Sequence, residues 1–134
     1  MSQERIERGG CPCGAVRFEA RGEPENVRCC HCTNCQKAMS GPFFARALFG
    51  REQVTITGEL GRYATSPLLD RLFCVACGTR VGAERSEPRR IALSLAAFDD
   101  AAAFAPGSHM FVEFKAGWLK LDDGLPQWPG WAGD

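Results

Sequence analysis

The stretch Cys74-Val75-Ala76-Cys77-Gly78, together with Cys11-Pro12-Cys13-Gly14 near the start of the chain, decides how this sequence folds. In each stretch two cysteines stand two or three residues apart, and a glycine follows that accepts the positive φ of a tight turn. Thiolates at this spacing face one point in space, as the ligands of a zinc ion do with bonds of about 2.3 Å. We therefore predict that the two stretches are halves of one four-sulfur structural site that joins distant parts of the chain.

The eight cysteines also allow the alternative of a disulfide framework, since their number is even. Their grouping into three short clusters argues against this alternative, because immediate neighbours are poorly placed to pair. The charged residues 1–8 lack the apolar core of a signal peptide. We therefore expect a cytoplasmic protein, whose thiols stay reduced.

Length and charge narrow the class of protein further. The 134 residues are long enough for one domain with a real core, which we expect to span residues 1–134. Lys plus Arg and Asp plus Glu both number 16, so no net field attracts the chain to nucleic acid or to an anionic membrane. No apolar run approaches the length of a transmembrane helix.

Short alternating segments separated by glycine and proline predict a mainly β fold of meandering antiparallel strands. The expected strands are residues 15–20, 43–49, 53–57, 61–64, 71–73, 91–95 and 110–114. One short helix is predicted over Thr33–Met39, with Thr33 as its N-cap and Gly41 beyond its end, and a turn at residues 99–103.

The middle cluster, Cys29-Cys30-His31-Cys32-Thr33-Asn34-Cys35, is where we expect the chemistry. Cys30, Cys32 and Cys35 offer three thiolates to a second ion. Because zinc takes four ligands, three protein sulfurs leave one position for a substrate thiol, a water or a carbonyl oxygen. Cys35 falls in the first turn of the predicted helix, where the dipole favours a thiolate.

Three alternatives remain open at this cluster. His31 would complete a closed site with three cysteines, although alternation along an extended backbone turns it to the opposite side. Cys29 is a further ligand, a buried small hydrophobe or a reactive thiol. An iron–sulfur cluster would use the same thiolates, because such ligands do not by themselves name their metal.

Nearly the whole chain, in the right order, resembles the glutathione-dependent formaldehyde-activating enzymes, also called the centromere protein V family. The resemblance is carried by Gly10-Cys11-Pro12-Cys13-Gly14-Ala15-Val16-Arg17-Phe18, Cys30-His31-Cys32-Thr33-Asn34-Cys35-Gln36-Lys37, Arg71-Leu72-Phe73-Cys74-Val75-Ala76-Cys77-Gly78, His109-Met110-Phe111-Val112, Trp118 and Leu121-Asp122-Asp123-Gly124-Leu125-Pro126.

This resemblance implies an Mss4-like fold and two zinc ions per chain. The structural zinc would be held by Cys11, Cys13, Cys74 and Cys77, and the catalytic zinc by Cys30, Cys32 and Cys35. It also implies a carbon–sulfur lyase reaction, the reversible joining of glutathione and formaldehyde as S-hydroxymethylglutathione. Fold analogy warrants the scaffold better than the substrate, so a redox enzyme using Cys29 and a non-catalytic zinc scaffold stay as rival classes.

A glutathione-type thiol carries carboxylates, so cations are expected near the triplet. The sequence offers Lys37, Arg46 and Arg62 as candidate substrate-binding residues, with Arg28 and Arg71 as further arginines of the same kind. Phe43 and Phe44 follow the predicted helix and are either pocket walls or core residues. Trp128 and Trp131 are expected to cover an apolar edge or an opening.

Overall fold

The computed structural model describes residues 4–133 of the chain. Within that part it contains ten β-strands, one α-helix and three short 3-10 helices. The strands are β1 Ile6–Gly10, β2 Arg17–Arg21, β3 Asn26–Cys30, β4 Phe44–Gly50, β5 Val54–Thr57, β6 Leu60–Ser66, β7 Leu69–Cys74, β8 Arg80–Arg85, β9 Arg90–Ser94 and β10 Ser108–Met110. Helix α1 is Thr33–Met39, and the 3-10 helices are Arg51–Gln53, Leu95–Ala97 and Val112–Phe114. The expected mainly β fold, with one short helix after the cysteine triplet, is confirmed.

The strands form two sheets. The smaller has the order β1-β2-β5, and the larger has the order β10-β3-β4-β9-β8-β7-β6. Every pairing is antiparallel except that of β10 with β3, which is parallel. Short connections between sequential strands make most neighbours antiparallel, whereas β10 arrives from a distant part of the chain.

The main core lies between the smaller sheet and one face of the larger one. Four phenylalanine rings form its centre, with centroids 5.1 Å apart for Phe18 and Phe98, 5.2 Å for Phe98 and Phe104, and 5.8 Å for Phe49 and Phe104. Side chains of the central strands β4, β7 and β9 fill the rest of this face with no exposed surface, among them Ala47, Leu72, Ile91 and Leu93. Since successive side chains of a strand point to opposite faces, the residues between them lie on the other side of the sheet.

That opposite face carries a second, smaller apolar cluster. It comprises Cys30, Cys35, Phe44, Ala83 and Met110, with α1 packed against β4. The cysteine triplet thus belongs to the side of the large sheet that faces away from the main core.

Helix α1 has the predicted bounds but a different cap. The N-cap is Cys32, whose sulfur accepts the backbone N–H of Cys35 at 3.3 Å, so the assignment of Thr33 as N-cap was wrong. Ser40 ends the helix in a left-handed conformation, with φ +52°. The cap itself is therefore one of the candidate metal ligands.

The last predicted strand was also wrong. Residues 110–114 are not one strand, because Phe111 takes φ +57° and the chain continues as the 3-10 helix Val112–Phe114. The strand that forms in this region is β10, which begins two residues before the predicted one, at Ser108. The turn expected at residues 99–103 is confirmed by the hydrogen bond from the N–H of Ala103 to the carbonyl of Asp100, 3.0 Å long.

Candidate active site

The two outer cysteine stretches meet in space. The sulfurs of Cys11, Cys13, Cys74 and Cys77 all lie within 4.8 Å of one another. Cys11 and Cys13 follow β1, Cys74 ends β7, and the sulfurs of Cys13 and Cys74 are 3.8 Å apart although 61 positions separate them. All eight cysteines are free thiols. Four convergent sulfurs would fill all four coordination positions of a zinc ion, so they fit a closed structural zinc site.

Two glycines shape the turns that carry these sulfurs. Gly14 has φ +80° and Gly78 has φ +79°, as the sequence predicted. The N–H of Gly14 donates to the carbonyl of Cys11 at 3.1 Å, and that of Gly78 donates to the carbonyl of Cys74 at 2.8 Å. Any residue with a Cβ would be strained at these dihedrals, so glycine holds each pair of cysteines in place.

Hydrogen bonds favour the thiolate form at two of these four cysteines, Cys11 and Cys77. At Cys13 the backbone of Ala15 acts in the same direction, but hydrogen bonding with Cys11 and Cys77 raises the pKa to about 12. The backbone N–H of Val16 reaches the sulfur of Cys11 at 3.3 Å and lowers the pKa of that thiol. Hydrogen bonding with Thr79 lowers the pKa of Cys77 to about 6. Donors directed at a sulfur stabilise its charged state, so the site is prepared for a cation.

The triplet forms a second cluster. The sulfurs of Cys30, Cys32 and Cys35 lie within 4.8 Å of one another, contributed by the end of β3, the N-cap and the first turn of α1. Hydrogen bonds from Cys30 and Cys35 lower the pKa of Cys32, whereas hydrogen bonding to Cys32 and then Cys35, with burial, raises the pKa of Cys30. Without a cation one thiolate is stabilised at the expense of its neighbours. A thiophilic cation would stabilise all three, so the donor set fits zinc.

His31 points away from the triplet, as alternation predicted. It is fully buried, and its Nε2 lies 2.9 Å from Nδ1 of His109. The Nε2–H of His109 in turn donates to Oδ2 of Asp123 at 2.7 Å and lowers the pKa of that carboxyl. Burial lowers the pKa of His31 to about 4, so its ring is neutral. His31 ties the triplet's loop to β10 and to the segment after it, and it does not join the cluster of three sulfurs.

Cys29 is likewise separate from both clusters. Its side chain is 3% exposed, and burial raises the pKa of its thiol to about 11. A reactive cysteine needs the opposite environment, which lowers the pKa and admits solvent. Cys29 therefore has the properties of a buried small hydrophobe.

A cavity of about 420 Å³ opens beside the triplet. All three of its cysteines line the cavity, and Asn34 and Phe44 stand next to them. The floor is the face of the large sheet opposite the main core, where Leu48, Ala83 and Ala92 are small or apolar. None of the outer four cysteines lines this cavity, although Cys11 borders a smaller hollow elsewhere. The two sulfur clusters thus differ in that the triplet alone meets the large cavity.

Arginines dominate the charge of the cavity. Among residues 4–133, five arginines line it, against one acidic residue, Glu25, and each comes from a different strand of the large sheet: Arg28, Arg46, Arg71, Arg85 and Arg90. Arg90 is paired with Glu25 at 2.5 Å. The cavity therefore carries an excess of positive charge beside three sulfur ligands, which favours anionic ligands.

Of the three residues proposed to bind substrate, the structure brings Arg46 to the cavity. Lys37 is exposed on α1 and does not line it. Arg62 is exposed on β6, pairs with Glu84 at 2.8 Å and Asp70 at 3.6 Å, and does not line it either. Sequence analysis did not name Arg85 and Arg90, which also line the cavity. The pairing of β8 with β9, which sets Arg85 opposite Arg90, brings them to it, and such a pairing cannot be read from the sequence.

The C-terminal segment borders the same cavity. The N–H of Trp128 donates to the carbonyl of His109 at 2.9 Å, and the N–H of Phe111 donates to the carbonyl of Gly130 at 2.8 Å. Trp131 packs edge-on against Phe111, with centroids 5.0 Å apart, and lies 6.0 Å from the guanidinium of Arg85. Of the two tryptophans expected to cover an edge or an opening, Trp131 stands at the rim of the cavity.

Comparison with known proteins identifies the family. The model of the glutathione-dependent formaldehyde-activating enzyme family matches residues 6–114, which include all seven candidate metal ligands. The chain belongs to this family.

Two particular proteins are similar to this chain. An uncharacterized lyase of Schizosaccharomyces pombe is 37% identical over 71 residues, which are 53% of this chain and 52% of that protein. The chain thus matches about half the length of this curated relative. The crystal structure of a Rhodobacter sphaeroides protein superposes with a TM-score of 0.57 at 20% identity, covering 90% of this chain and 98% of that one. At that identity the second similarity shows the shared fold alone. Within residues 4–133 no helix has the length and apolar character needed to cross a bilayer.

Proposed function

We propose that this protein is a zinc-dependent carbon–sulfur lyase that acts on a glutathione-type thiol adduct. In its forward direction a thiol adds to formaldehyde or a related aldehyde, and with glutathione the product is S-hydroxymethylglutathione. The C–S bond forms, and the proton lost by the sulfur ends on the new hydroxyl oxygen. The reverse reaction breaks the same bond and returns the proton to the thiol.

One observation carries this proposal: the triplet of Cys30, Cys32 and Cys35 lines a cavity of about 420 Å³, whereas the outer four cysteines do not line it. A zinc ion held by three protein sulfurs would keep one position for a ligand from that cavity. When bound there, zinc supplies Lewis acidity, which favours the thiolate over the thiol or polarises a carbonyl oxygen. Family membership supports the same class of activity.

The residues of the chain supply the rest of the site. Cys30, Cys32 and Cys35 would hold the catalytic zinc, and the outer four cysteines would hold the structural one. Arg46 is the best placed of the proposed substrate-binding residues, since it is buried at the cavity wall. Leu48, Phe44 and Met110 give part of the cavity an apolar lining, which would weaken the hydration of a bound thiolate and so strengthen it as a nucleophile.

The two rival classes find less support. A thiol redox enzyme would need a reactive free cysteine, but Cys29 is buried and the pKa of its thiol is raised. A non-catalytic scaffold would need the outer site alone, and a second cluster of sulfurs beside a cavity would serve no purpose in it. We place the protein in the cytoplasm as a single domain, consistent with its eight free thiols.

The proposal predicts faster exchange between glutathione and its formaldehyde adduct. This exchange occurs slowly in buffer, so its rate is measured by NMR magnetisation transfer with and without the zinc-loaded protein. The wild type should raise the rate well above that of buffer. Cys29→Ala is the matched control, and it should keep the full rate because that thiol lies outside the cavity.

Two results would count against the proposed function. An exchange rate equal to that of buffer, with two zinc ions bound per chain, would exclude glutathione and formaldehyde as the substrate pair. Loss of the rate in Cys29→Ala, with zinc content intact, would instead favour the redox enzyme.

A further inference from the structure

Two buried arginines line the cavity from strands that flank its floor. Arg46 on β4 is 7% exposed and Arg71 on β7 is 3% exposed, and both line the cavity. The intervening strands carry Ala83 and Ala92: Arg71 pairs with Ala83, Ala83 pairs with Ala92, and Ala92 is the diagonal neighbour of Arg46 on β4, since it pairs with Leu48. Because alanines are short, the long side chains of the flanking strands border an open space, not a filled one.

Neither guanidinium has a carboxylate partner within residues 4–133. Arg46 donates from one terminal nitrogen to the side-chain oxygen of Asn26, which is neutral. Arg71 donates to the sulfur of Cys35 at 3.6 Å, and its Nε is buried with no hydrogen-bond partner. Burial, and then the charge of Arg28, lowers the pKa of Arg46 to about 10, which still leaves it charged at neutral pH. A buried charge whose hydrogen-bond partner is neutral is costly, so Arg46 calls for an anion, and Arg71, which contacts the sulfur of Cys35, borders the same cavity.

We infer that Arg46 and Arg71 form a subsite for a carboxylate of the thiol ligand, and that the preferred thiols carry this carboxylate close to their sulfur. This inference rests on the proposed function, because it assigns the substrate class of the same cavity. The chemistry that fits is a short mercaptocarboxylate, or its adduct with an aldehyde.

The closeness of carboxylate and sulfur follows from the positions of the two arginines. The guanidinium of Arg71 touches the sulfur of Cys35. Arg46 is the diagonal neighbour of Cys30, since Cys30 pairs with Phe44 and Arg28 pairs with Arg46. Diagonal neighbours in a sheet lie about 7–8 Å apart, within reach of a long side chain. The anion subsite and the three sulfurs therefore border the same end of the cavity. In glutathione, peptide bonds separate both carboxylates from the sulfur, so they reach this end less readily.

Calorimetry with a pair of thiols that differ in charge tests the subsite. Zinc-loaded wild type should bind 3-mercaptopropionate at least about tenfold more tightly than uncharged 2-mercaptoethanol, the gain expected for hydrogen bonds to a charged group. Arg46→Gln should bring the ratio close to one, without loss of zinc. Arg21→Gln, which removes an exposed arginine of β2, is the matched control and should keep the wild-type ratio. Glutathione should depend on Arg46 less than 3-mercaptopropionate does.

The outcomes separate this inference from the proposed function. Equal affinities for the two thiols in wild type, or a ratio that survives in Arg46→Gln, would overturn the subsite while leaving the thiol site intact. If neither thiol binds, the proposed function fails, and sulfate binding then tests the anion subsite by itself. Sulfate that binds wild type but not Arg46→Gln supports the subsite. Absence of sulfate binding to wild type overturns it. Should Arg46→Gln not fold, Arg46→Lys keeps the charge but loses the bidentate fork, and it should lower the ratio without abolishing it.

Discussion

Cys74→Ser is expected to unfold the protein at physiological temperature. Cys74 has no exposed surface, and its sulfur lies beside that of Cys13 in the outer cluster. Structural zinc contributes on the order of 10 kcal/mol in small zinc modules, and loss of one ligand removes much of it. Because a domain of this size has a free energy of unfolding of about 5–15 kcal/mol, the loss is comparable with the whole. Circular dichroism during heating, with zinc content per chain, measures the effect.

Cys29→Ala is the matched control for this variant. It also removes a buried sulfur, but one that belongs to neither cluster, so it should keep both zinc ions and lower stability only by the amount expected for a small cavity. A Cys74→Ser protein that melts cooperatively at the wild-type temperature would contradict the structural role of the outer cluster.

Cys32→Ser is expected to keep the fold and to lose the second metal site. Serine is itself a good N-cap, so its hydroxyl can accept the N–H of Cys35 in place of the sulfur, and α1 should persist. Removing an outer-shell partner of a metal already costs up to about 100-fold in affinity, so loss of a direct ligand should cost more. Bound zinc should therefore fall by one ion per chain, with the exchange rate falling to that of buffer. Elemental analysis and thermal melting measure the two effects separately.

The zinc content and stability of Cys32→Ser should be compared with those of Cys74→Ser, because the two variants remove ligands of different proposed sites. The first should lose metal without losing the fold, and the second should lose both. Equal zinc content in wild type and Cys32→Ser would refute the second site. A melting temperature as low as that of Cys74→Ser would show that the triplet, too, is structural.

The two clusters of cysteines could be predicted because their signal is local in the sequence. Cysteines two or three residues apart, followed by Gly14 and Gly78, determine the turns regardless of the rest of the fold. The bounds of α1 were also predicted from its immediate sequence. The cap was not, since the choice between Cys32 and Thr33 depends on the sulfur's contact with Cys35.

Several strands could not be predicted because their sequences do not alternate in a simple way. Strand β8 has the sequence Arg-Val-Gly-Ala-Glu-Arg, with three consecutive buried residues, since one face lies on the core and the other on the cavity. Strand β3 ends in Cys29 and Cys30, the first two residues of the middle cysteine cluster, whose metal-binding pattern hid its extended conformation. Strand β1 has a charged sequence, because Glu7 and Arg8 lie at the partly exposed edge of the small sheet.

The cavity depends on contacts between distant strands, so sequence alone could not select among the arginines. Arg46 and Arg62 look alike in sequence. The first is buried on a central strand of the large sheet, and the second lies on the strand at its edge, where Glu84 and Asp70 pair with it. Arg71 was named only as a further candidate, and its contact with Cys35 spans 36 positions.

The most direct test of the central claim is the absorption spectrum of the protein with cobalt(II) in place of zinc, titrated with glutathione and with 3-mercaptopropionate. Cobalt at the triplet should respond to a thiol that enters its coordination sphere, whereas cobalt in the closed outer site should not. We predict that thiol changes the cobalt bands of wild type and leaves those of Cys32→Ser unchanged. A wild-type spectrum that neither thiol alters, with two cobalt ions bound per chain, would contradict the claim that the triplet holds a metal accessible to a substrate sulfur.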